Sequence, residues 1–303
     1  MTTVAIVGTG RMGAAMARRL AATGFAVILH NRTGERAAAL AAEIGPAARV
    51  VDTPADAAAA ADVTITMLAD DDAVRATFIG ADGLVAGARS GTVLVDMSTV
   101  LPETIRSIEG GVRATGAGVL DAPVSGSVPL AETGQLTIMV GGSSADLELA
   151  RPVLESLAKA VIHLGPLGSG AVMKLAVNTV IYGLNGALAE GLALAEAAGV
   201  DRAVAYDVIA AGAAGAPFVG YKRSAFLDPN GSPVAFALEL AEKDLRLITE
   251  TAAAVGQPLP QTAVNLELVR AASADHRGGR DFATVAVELR SRRAAAGSER
   301  ARA

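Results

Sequence analysis

The sequence contains no cysteine, which excludes disulfides, thiolate nucleophiles, iron–sulfur clusters and cysteine-held zinc together. No metal site is expected, and the redox compartment stays open on this ground. A basic stripe is also missing. The net charge is −5, and binding nucleic acid needs clustered Lys and Arg. The one basic run, Arg290-Ser291-Arg292-Arg293, continues into alanines and reads as a frayed, solvated helix end. Although 51% of residues are hydrophobic, charges recur too often to leave an uncharged apolar run of ~18 residues, so no membrane span is expected. Met1-Thr2-Thr3-Val4 enters an apolar strand at once, without a basic leader or cleavage signal. That pattern predicts a soluble, cytoplasmic protein. There is no internal repeat, and the abundant alanine favours helix without forming a low-complexity array.

At 303 residues the chain has room for two domains, each with its own apolar interior. Short apolar runs at Val4 to Val7, Ala26 to His30, Val63 to Met67, Val93 to Asp96, Val119 to Asp121, Leu136 to Val140 and Val161 to Leu164 read as strands. Alanine-rich helical stretches separate several of them, which implies a largely parallel, doubly wound sheet. After Gly170 the pattern changes. Ala171 to Ala198 is one long apolar stretch, followed by helices near Asp201 to Ala211, Pro233 to Val255, Gln261 to Ala274 and Asp281 to Arg290. Ala213 to Pro217 and Asp228 to Gly231 read as turns. The expected organisation is an α/β domain over 1–165, an all-α domain over 166–292 and a disordered tail over 293–303, with the boundary between Gly165 and Gly170.

Gly8-Thr9-Gly10-Arg11-Met12-Gly13 follows the first strand and opens a helix. A glycine-rich turn there lets backbone N–H groups approach a pyrophosphate at the positive end of the helix, the arrangement of a Rossmann-type dinucleotide site. At the end of the second strand, where an NAD site usually offers a carboxylate to the ribose 2′-hydroxyl, the chain reads His30-Asn31-Arg32-Thr33. The acid is absent. Asn31 is neutral, Arg32 can fork onto a 2′-phosphate and Thr33 adds a hydroxyl, so NADP(H) is expected in preference to NAD(H).

Four further segments carry polar groups that invite two readings each. Asp96-Met97-Ser98-Thr99 ends a sheet strand on the edge where ligands of such sheets sit, though Ser98 and Thr99 could equally cap a helix starting near Pro102. Asp121-Ala122-Pro123-Val124-Ser125-Gly126-Ser127 presents a hydroxyl, a bare backbone and a second hydroxyl, suited to a carboxylate or to a plain turn. Gly168-Ser169-Gly170 leads into a helix with Lys174 and Asn178 four residues apart on one face. Lys174 is either a proton donor held by an amide or a lysine snorkelling to solvent. Lys243-Asp244 by default belongs to a solvated helix face.

In this order and together, these segments resemble the β-hydroxyacid dehydrogenase family, whose members include 3-hydroxyisobutyrate dehydrogenases, tartronate semialdehyde reductases and glyoxylate/succinic semialdehyde reductases. The likeness spans nearly the whole chain. Ser125-Gly126-Ser127, where many members have a second glycine, is similar to the glyoxylate/succinic semialdehyde branch, as are Met67-Leu68-Ala69-Asp70, Gly134-Gln135-Leu136 and Lys243-Asp244-Leu245-Arg246-Leu247. The resemblance implies Lys174 as catalytic lysine with Asn178 beside it, and Ser125, Gly126 and Ser127 on a substrate carboxylate. It also implies Phe236 and Asp244 facing the substrate, and Met67, Leu68, Thr99 and Lys243 along the cofactor.

The expected reaction is reduction of a small aldehyde-acid with NADPH, Lys174 protonating the forming alkoxide. An unperturbed lysine, pKa about 10.4, is already protonated at neutral pH and suits that direction. Oxidation of a 3-hydroxy acid such as 3-hydroxyisobutyrate is the alternative. Imine reductases share the family's fold but typically replace the lysine, which is retained here, and a non-catalytic dinucleotide sensor would not need it. The hydrophobicity of Ala171 to Ala198 implies a homodimer or homotetramer formed through the all-α domain.

Overall fold

The computed structural model describes residues 2–274 and 279–291. The expected tail over 293–303, with Arg292 and Arg293, lies outside the described residues. Two compact units divide the chain at Leu175 and Ala176.

The first unit alternates strand and helix: β1 (Thr3–Val7), α1 (Arg11–Ala22), β2 (Ala26–His30), α2 (Gly34–Ile44), β3 (Ala48–Val50), α3 (Pro54–Ala60), β4 (Val63–Thr66), α4 (Asp71–Ile79), α5 (Leu84–Gly87), β5 (Val93–Asp96) and α6 (Pro102–Ala114). It continues through β6 (Gly118–Asp121), β7 (Val124–Ser125), α7 (Val128–Glu132), β8 (Leu136–Gly142), α8 (Ser144–Leu157) and β9 (Ala158–Gly165). The nine strands form one sheet in the order β3-β2-β1-β4-β5-β6-β8-β7, with β9 also paired to β8. β1, β2, β3, β4, β5 and β6 pair in parallel, and so do β8 and β9, whereas β8 runs antiparallel to β6 and β7.

The central strands are buried along their whole length because helices cover both faces. Val4 and Ile6 point into one core with Met16 and Leu20 of α1. Ala5 and Val7 point into the other with Val74, Phe78 and Ile105. Each fully buried side chain of that size contributes roughly 1.5–3 kcal/mol relative to exposure, and the period-2 alternation fixes the register, since a one-residue slip would swap the two cores.

The second unit is helical. α9 (Ser169–Ala197) starts within the first unit and runs into it, and α10 (Arg202–Ala211), α11 (Pro217–Leu227), α12 (Leu238–Ala254), α13 (Pro260–Ser273), a 3₁₀ turn (Phe282–Thr284) and a helix over 285–291 follow. Two expectations change here. The helix expected from Pro233 begins at Leu238, because the backbone before it turns to meet Asp281, with Phe236 accepting from the Phe282 N–H at 3.0 Å. Among the described residues, α9 alone is long and apolar enough to cross a membrane by length and composition, with 39% of its most apolar window buried. Arg290, expected at a solvated helix end, makes a two-pronged ion pair with Glu196 at 2.9 and 2.8 Å.

Two aspartates sit side by side in register at the ends of β5 and β6, Asp96 beside Asp121. Both are about 1% exposed. Thr66 Oγ1 and Ser98 Oγ donate to Asp96 Oδ1 at 2.5 and 2.8 Å. Ser98 Oγ also accepts from the Leu68 N–H at 2.9 Å, while α6 starts at Pro102, preceded by Leu101, with no side-chain cap. Ser98 therefore ties the ends of β4 and β5 together and does not cap the helix. Burial, reinforced by the neighbouring Asp121 charge and opposed by these hydroxyls, raises Asp96 to about 6. A folded-state pKa above the unfolded value contributes stability that is complete below about pH 4 and disappears as pH rises through about 6. Asp96→Asn removes this titration. Urea denaturation at about pH 4.5 and about pH 7 should show the wild type losing about 2 kcal/mol more than the variant over that interval. Parallel pH profiles for the two proteins would contradict the assignment.

Candidate active site

The glycine-rich turn between β1 and α1 is shaped by what surrounds it. Gly8 has φ +101°, and a Cβ there would lie 2.4 Å from the Met67 carbonyl; one on Gly13 would lie 2.0 Å from the Gly8 carbonyl. These two glycines allow β1, β4 and α1 to approach. Gly10 differs, since nothing lies within 4 Å of its Cβ position. It opens onto a cavity of about 490 Å³ lined by Thr9, Arg11, Arg18 and Arg36 among others.

No side chain caps α1 at Gly10, so the positive helix end is left to whatever occupies the cavity. Thr9 Oγ1 is buried with no hydrogen-bond partner among the described residues. An uncapped helix start, an orphaned hydroxyl and three arginines fit the pyrophosphate of a dinucleotide. Asn31 is committed locally: its Oδ1 accepts from the Thr9 N–H and its Nδ2 donates to the Thr33 carbonyl, both at 3.0 Å. It splints the glycine turn to the end of β2. Arg32 and Thr33 are exposed at the start of α2, and Arg36 stands one turn on. Arg36 was missed in the sequence, although its spacing from Arg32 places both at one helix start.

The other sequence-derived residues of the first unit gather at the carboxyl ends of the strands. Met67 and Leu68 follow β4, and Thr99 follows β5; all three are partly exposed. Ser125 ends β7 and pairs with Thr137 of β8. Gly126 follows with φ +145°, where a Cβ would meet Leu136 at 2.7 Å, so only glycine passes this point without strain. Ser127 is the residue before α7, and its carbonyl, not its hydroxyl, accepts the first helical N–H groups. Both hydroxyls stand on a partly exposed loop.

Asp121 directs its carboxylate at the start of α9. The N–H groups of Gly168 and Ala171 donate to Oδ1 and Oδ2 at 2.8 and 2.7 Å. Burial raises its pKa, and these backbone donors pull it back. Lys174, partly buried, stands one turn after Ala171.

Within the second unit a buried polar cluster forms around Asp244, which is 2% exposed. Asn178 Nδ2 and Tyr182 Oη both donate to Asp244 Oδ2 at 2.8 Å, and Lys243 Nζ lies 3.1 Å from Oδ1. The solvated-face reading of Lys243-Asp244 fails for Asp244, whose charge is buried and met by two hydrogen-bond donors on Oδ2 and by the Lys243 ammonium beside Oδ1. Burial, then the Asp244 charge, pushes the Tyr182 hydroxyl well above its usual range and keeps it a donor. Tyr182 escaped the sequence reading, yet it continues the four-residue spacing of Lys174 and Asn178 on α9. Phe236 is partly buried in the segment before α12, and its ring meets Phe282 edge-on at 5.8 Å. Phe218 is 3% exposed and packs between Tyr221 and Phe282.

Residues 3–165 match the model of the NAD binding domain of 6-phosphogluconate dehydrogenase, and residues 168–289 match that of the NAD-binding domain of NADP-dependent 3-hydroxyisobutyrate dehydrogenase. The chain is 34% identical to glyoxylate/succinic semialdehyde reductase 2 of Arabidopsis thaliana over 95% of its length and 79% of that protein. It is 34% identical to 3-hydroxyisobutyrate dehydrogenase of Pseudomonas aeruginosa over 94% of its length and 97% of that protein. The solved structure of 3-hydroxyisobutyrate dehydrogenase from Mycobacterium tuberculosis with L-serine superposes with a TM-score of 0.83 at 33% identity, covering 96% of this chain and 99% of that one. With a doubly wound cofactor domain followed by a helical domain, and both family models matched in order, the chain belongs to the β-hydroxyacid dehydrogenase family of NAD(P)-dependent oxidoreductases that act on hydroxy acids.

Proposed function

We propose that the protein reduces a small aldehyde-acid, of the glyoxylate or succinic semialdehyde type, to the hydroxy acid, using NADP(H) in preference to NAD(H). The observation that carries this reading is the placement of Lys174 one turn beyond a helix start fixed by Asp121, with Asn178 four residues on and held by Asp244. With the cofactor's pyrophosphate at the glycine turn, its reduced nicotinamide would supply the hydride for the carbonyl carbon. Lys174 donates the proton to the oxygen as negative charge develops on it. Asn178 has its amide nitrogen on Asp244, which turns its Oδ1 away from that carboxylate and makes it an acceptor for the lysine ammonium or a substrate hydroxyl. The Ser125 and Ser127 hydroxyls, with the bare Gly126 backbone between them, hold the distal carboxylate and so align the carbonyl. Thr99, Met67, Leu68 and Lys243 line the cofactor, and Phe236 meets the substrate chain.

The preference for NADP(H) rests on Arg32, Thr33 and Arg36 around the start of α2, three donors for a 2′-phosphate at a strand end where the usual ribose-binding carboxylate is replaced by Asn31; Glu35 in the same turn is outnumbered by the two arginines. Asn31 acts from behind, splinting the turn. Oxidation of a 3-hydroxy acid is the second reading, favoured by equal identity to a 3-hydroxyisobutyrate dehydrogenase and a semialdehyde reductase.

We also propose a homodimer or homotetramer built on the helical unit. Val180 and Leu194 of α9 and Val204 and Val208 of α10 are 55–72% exposed, and apolar surface of this kind is commonly covered by a second copy.

NADPH consumption with glyoxylate, succinic semialdehyde, methylmalonate semialdehyde and tartronate semialdehyde, alongside oxidation of 3-hydroxyisobutyrate and L-serine, decides between the two readings. Higher kcat/KM for an aldehyde-acid is the expected result. Lys174→Ala should lower kcat by about 10²–10⁴-fold with NADPH affinity little changed, and undiminished turnover would remove the lysine from the mechanism. The wild type should show a higher kcat/KM with NADPH than with NADH. Arg32→Ala should weaken NADPH binding by about tenfold, the loss of one charge-assisted contact, and leave NADH nearly unaffected; equal losses for both would sink the 2′-phosphate assignment. Light scattering at micromolar concentration should give at least twice the mass of one chain, and a monomer would refute the proposed assembly.

A further inference from the structure

One buried charge pair in the second unit belongs to none of the residues so far assigned. Lys222 of α11 is 1% exposed and Asp281 is 5% exposed. The lysine Nζ reaches both carboxylate oxygens, at 2.6 and 2.7 Å. Desolvation pulls the Lys222 pKa down, and the Asp281 charge opposes that shift.

Asp281 collects more than the lysine. The Ala235 and Phe236 N–H groups donate to its Oδ2 at 2.9 and 3.1 Å, and the Ala283 N–H donates to Oδ1 at 3.0 Å. The Phe282 N–H donates to the Phe236 carbonyl at 3.0 Å, and the Leu238 N–H to the Arg280 carbonyl at 2.9 Å. The peptide groups on both sides of Phe236 are thereby pinned to one short stretch of chain. The side chain is pinned as well, since its ring meets Phe282 edge-on at 5.8 Å and Lys222 Nζ lies 4.3 Å from the Phe282 ring centre on the same cluster.

A structural ion pair needs no such aim. Here every donor apart from the lysine is a backbone N–H, and two of the three come from the irregular segment that carries Phe236. That segment has no helix or sheet ladder of its own to hold it; only an isolated bridge joins Ala237 to Asp281. Its shape is dictated by the carboxylate it wraps, and the carboxylate is held in place by Lys222. Phe236 itself is partly exposed, so a side chain free to meet a ligand is mounted on a rigid base.

The geometry points to Lys222 and Asp281 as positioning residues that set substrate selectivity by fixing Phe236. This rests on the reading of Phe236 as a substrate-facing side chain. Loosening the pair leaves the proton donor and the carboxylate loop untouched but lets the Phe236 wall recede. The chain-length preference shifts as a result, and longer aldehyde-acids gain relative to shorter ones.

The test uses the double variant Lys222→Met/Asp281→Asn, which removes both charges and leaves no unpaired one buried, together with Phe236→Ala and the triple variant. The measured quantity is the ratio of kcat/KM for succinic semialdehyde to that for glyoxylate, which a uniform loss of folded enzyme does not move. The expected result is a rise of about tenfold, the size of effect that small changes in an apolar wall produce. In the Phe236→Ala background the same double substitution should add nothing. An unchanged ratio, or a shift that adds in full to that of Phe236→Ala, would overturn the proposal. Hydrogen exchange over 233–238 supplies a readout that needs no substrate. Lost amide protection there in the double variant, with α12 still protected, supports the clamp, and retained protection overturns it. If the wild type reduces neither aldehyde-acid, the reading of its activity fails, and the exchange result still decides the role of the pair.

Discussion

A carboxylate taken out of water has to be met by donors, and the way Asp121 is met organises this protein. Its two oxygens receive the N–H groups of Gly168 and Ala171, so the charge sits against the positive start of α9, where helix dipole and free donors favour it. The approach leaves no room for side chains. A Cβ on Gly170 would fall 2.4 Å from the Met139 carbonyl, and one on Gly141 would fall 2.3 Å from Asp121 Oδ1. Two glycines and an aspartate thus bring the end of β6, β8 and the first turn of α9 into contact, and Lys174 inherits its position from that contact. Asp96, next to Asp121, is bound to hydroxyls of Thr66 and Ser98, which join neighbouring strand ends. The carboxyl edge of the sheet is therefore held by short polar links, the edge at which doubly wound sheets bind their ligands.

At the other end of the cofactor site, the missing ribose carboxylate is replaced by something structurally different. Asn31 uses one end of its amide on Thr9 and the other on Thr33. An aspartate at this position could accept from Thr9 but would have no hydrogen to offer the Thr33 carbonyl. The neutral amide is thus required by the turn as well as compatible with a 2′-phosphate. That leaves Arg32, Thr33 and Arg36 as the exposed donor side chains following it around the start of α2.

The strands were legible because burial on both faces writes them as unbroken apolar runs bounded by Gly or charge, and the observed β2 and β5 end on the residues expected. β3 and β7, with three and two residues, are too short to leave a periodic signal; pairing partners define them. The start of α12 was misplaced because Pro233 imitates a first-turn proline, while Asp281, distant in sequence, holds the following residues in another shape. The cap left open for Ser98 was excluded only by the fold, for a related reason: a hydroxyl just before a helix suits a cap, and nothing local shows that the Leu68 N–H after β4 offers it another partner. In the site, motifs named the candidate residues themselves. Tyr182 meets Asp244, and Lys222 meets the Asp281 that holds the Phe236 segment; the long-range pairings of Lys222 and Asp281 are visible only once the chain is folded.

The helical unit keeps two buried carboxylates, Asp244 and Asp281, in surroundings that could have been filled by apolar side chains. Stability does not explain them, since a buried ion pair is frequently no better than a hydrophobic replacement. Direction does. A carboxylate accepts and never donates when ionised, so each group facing it must present a hydrogen. Asn178 has to turn its nitrogen inward, Tyr182 has to point its hydroxyl the same way, and the peptide groups of Ala235 and Phe236 have to face Asp281. An apolar filling would hold the same volume with the amide of Asn178 free to flip and the Phe236 segment free to rotate. A unit made of helices has no strand register with which to fix such orientations. Two charges, each met by donors, perform that task for Asn178 and for the Phe236 segment.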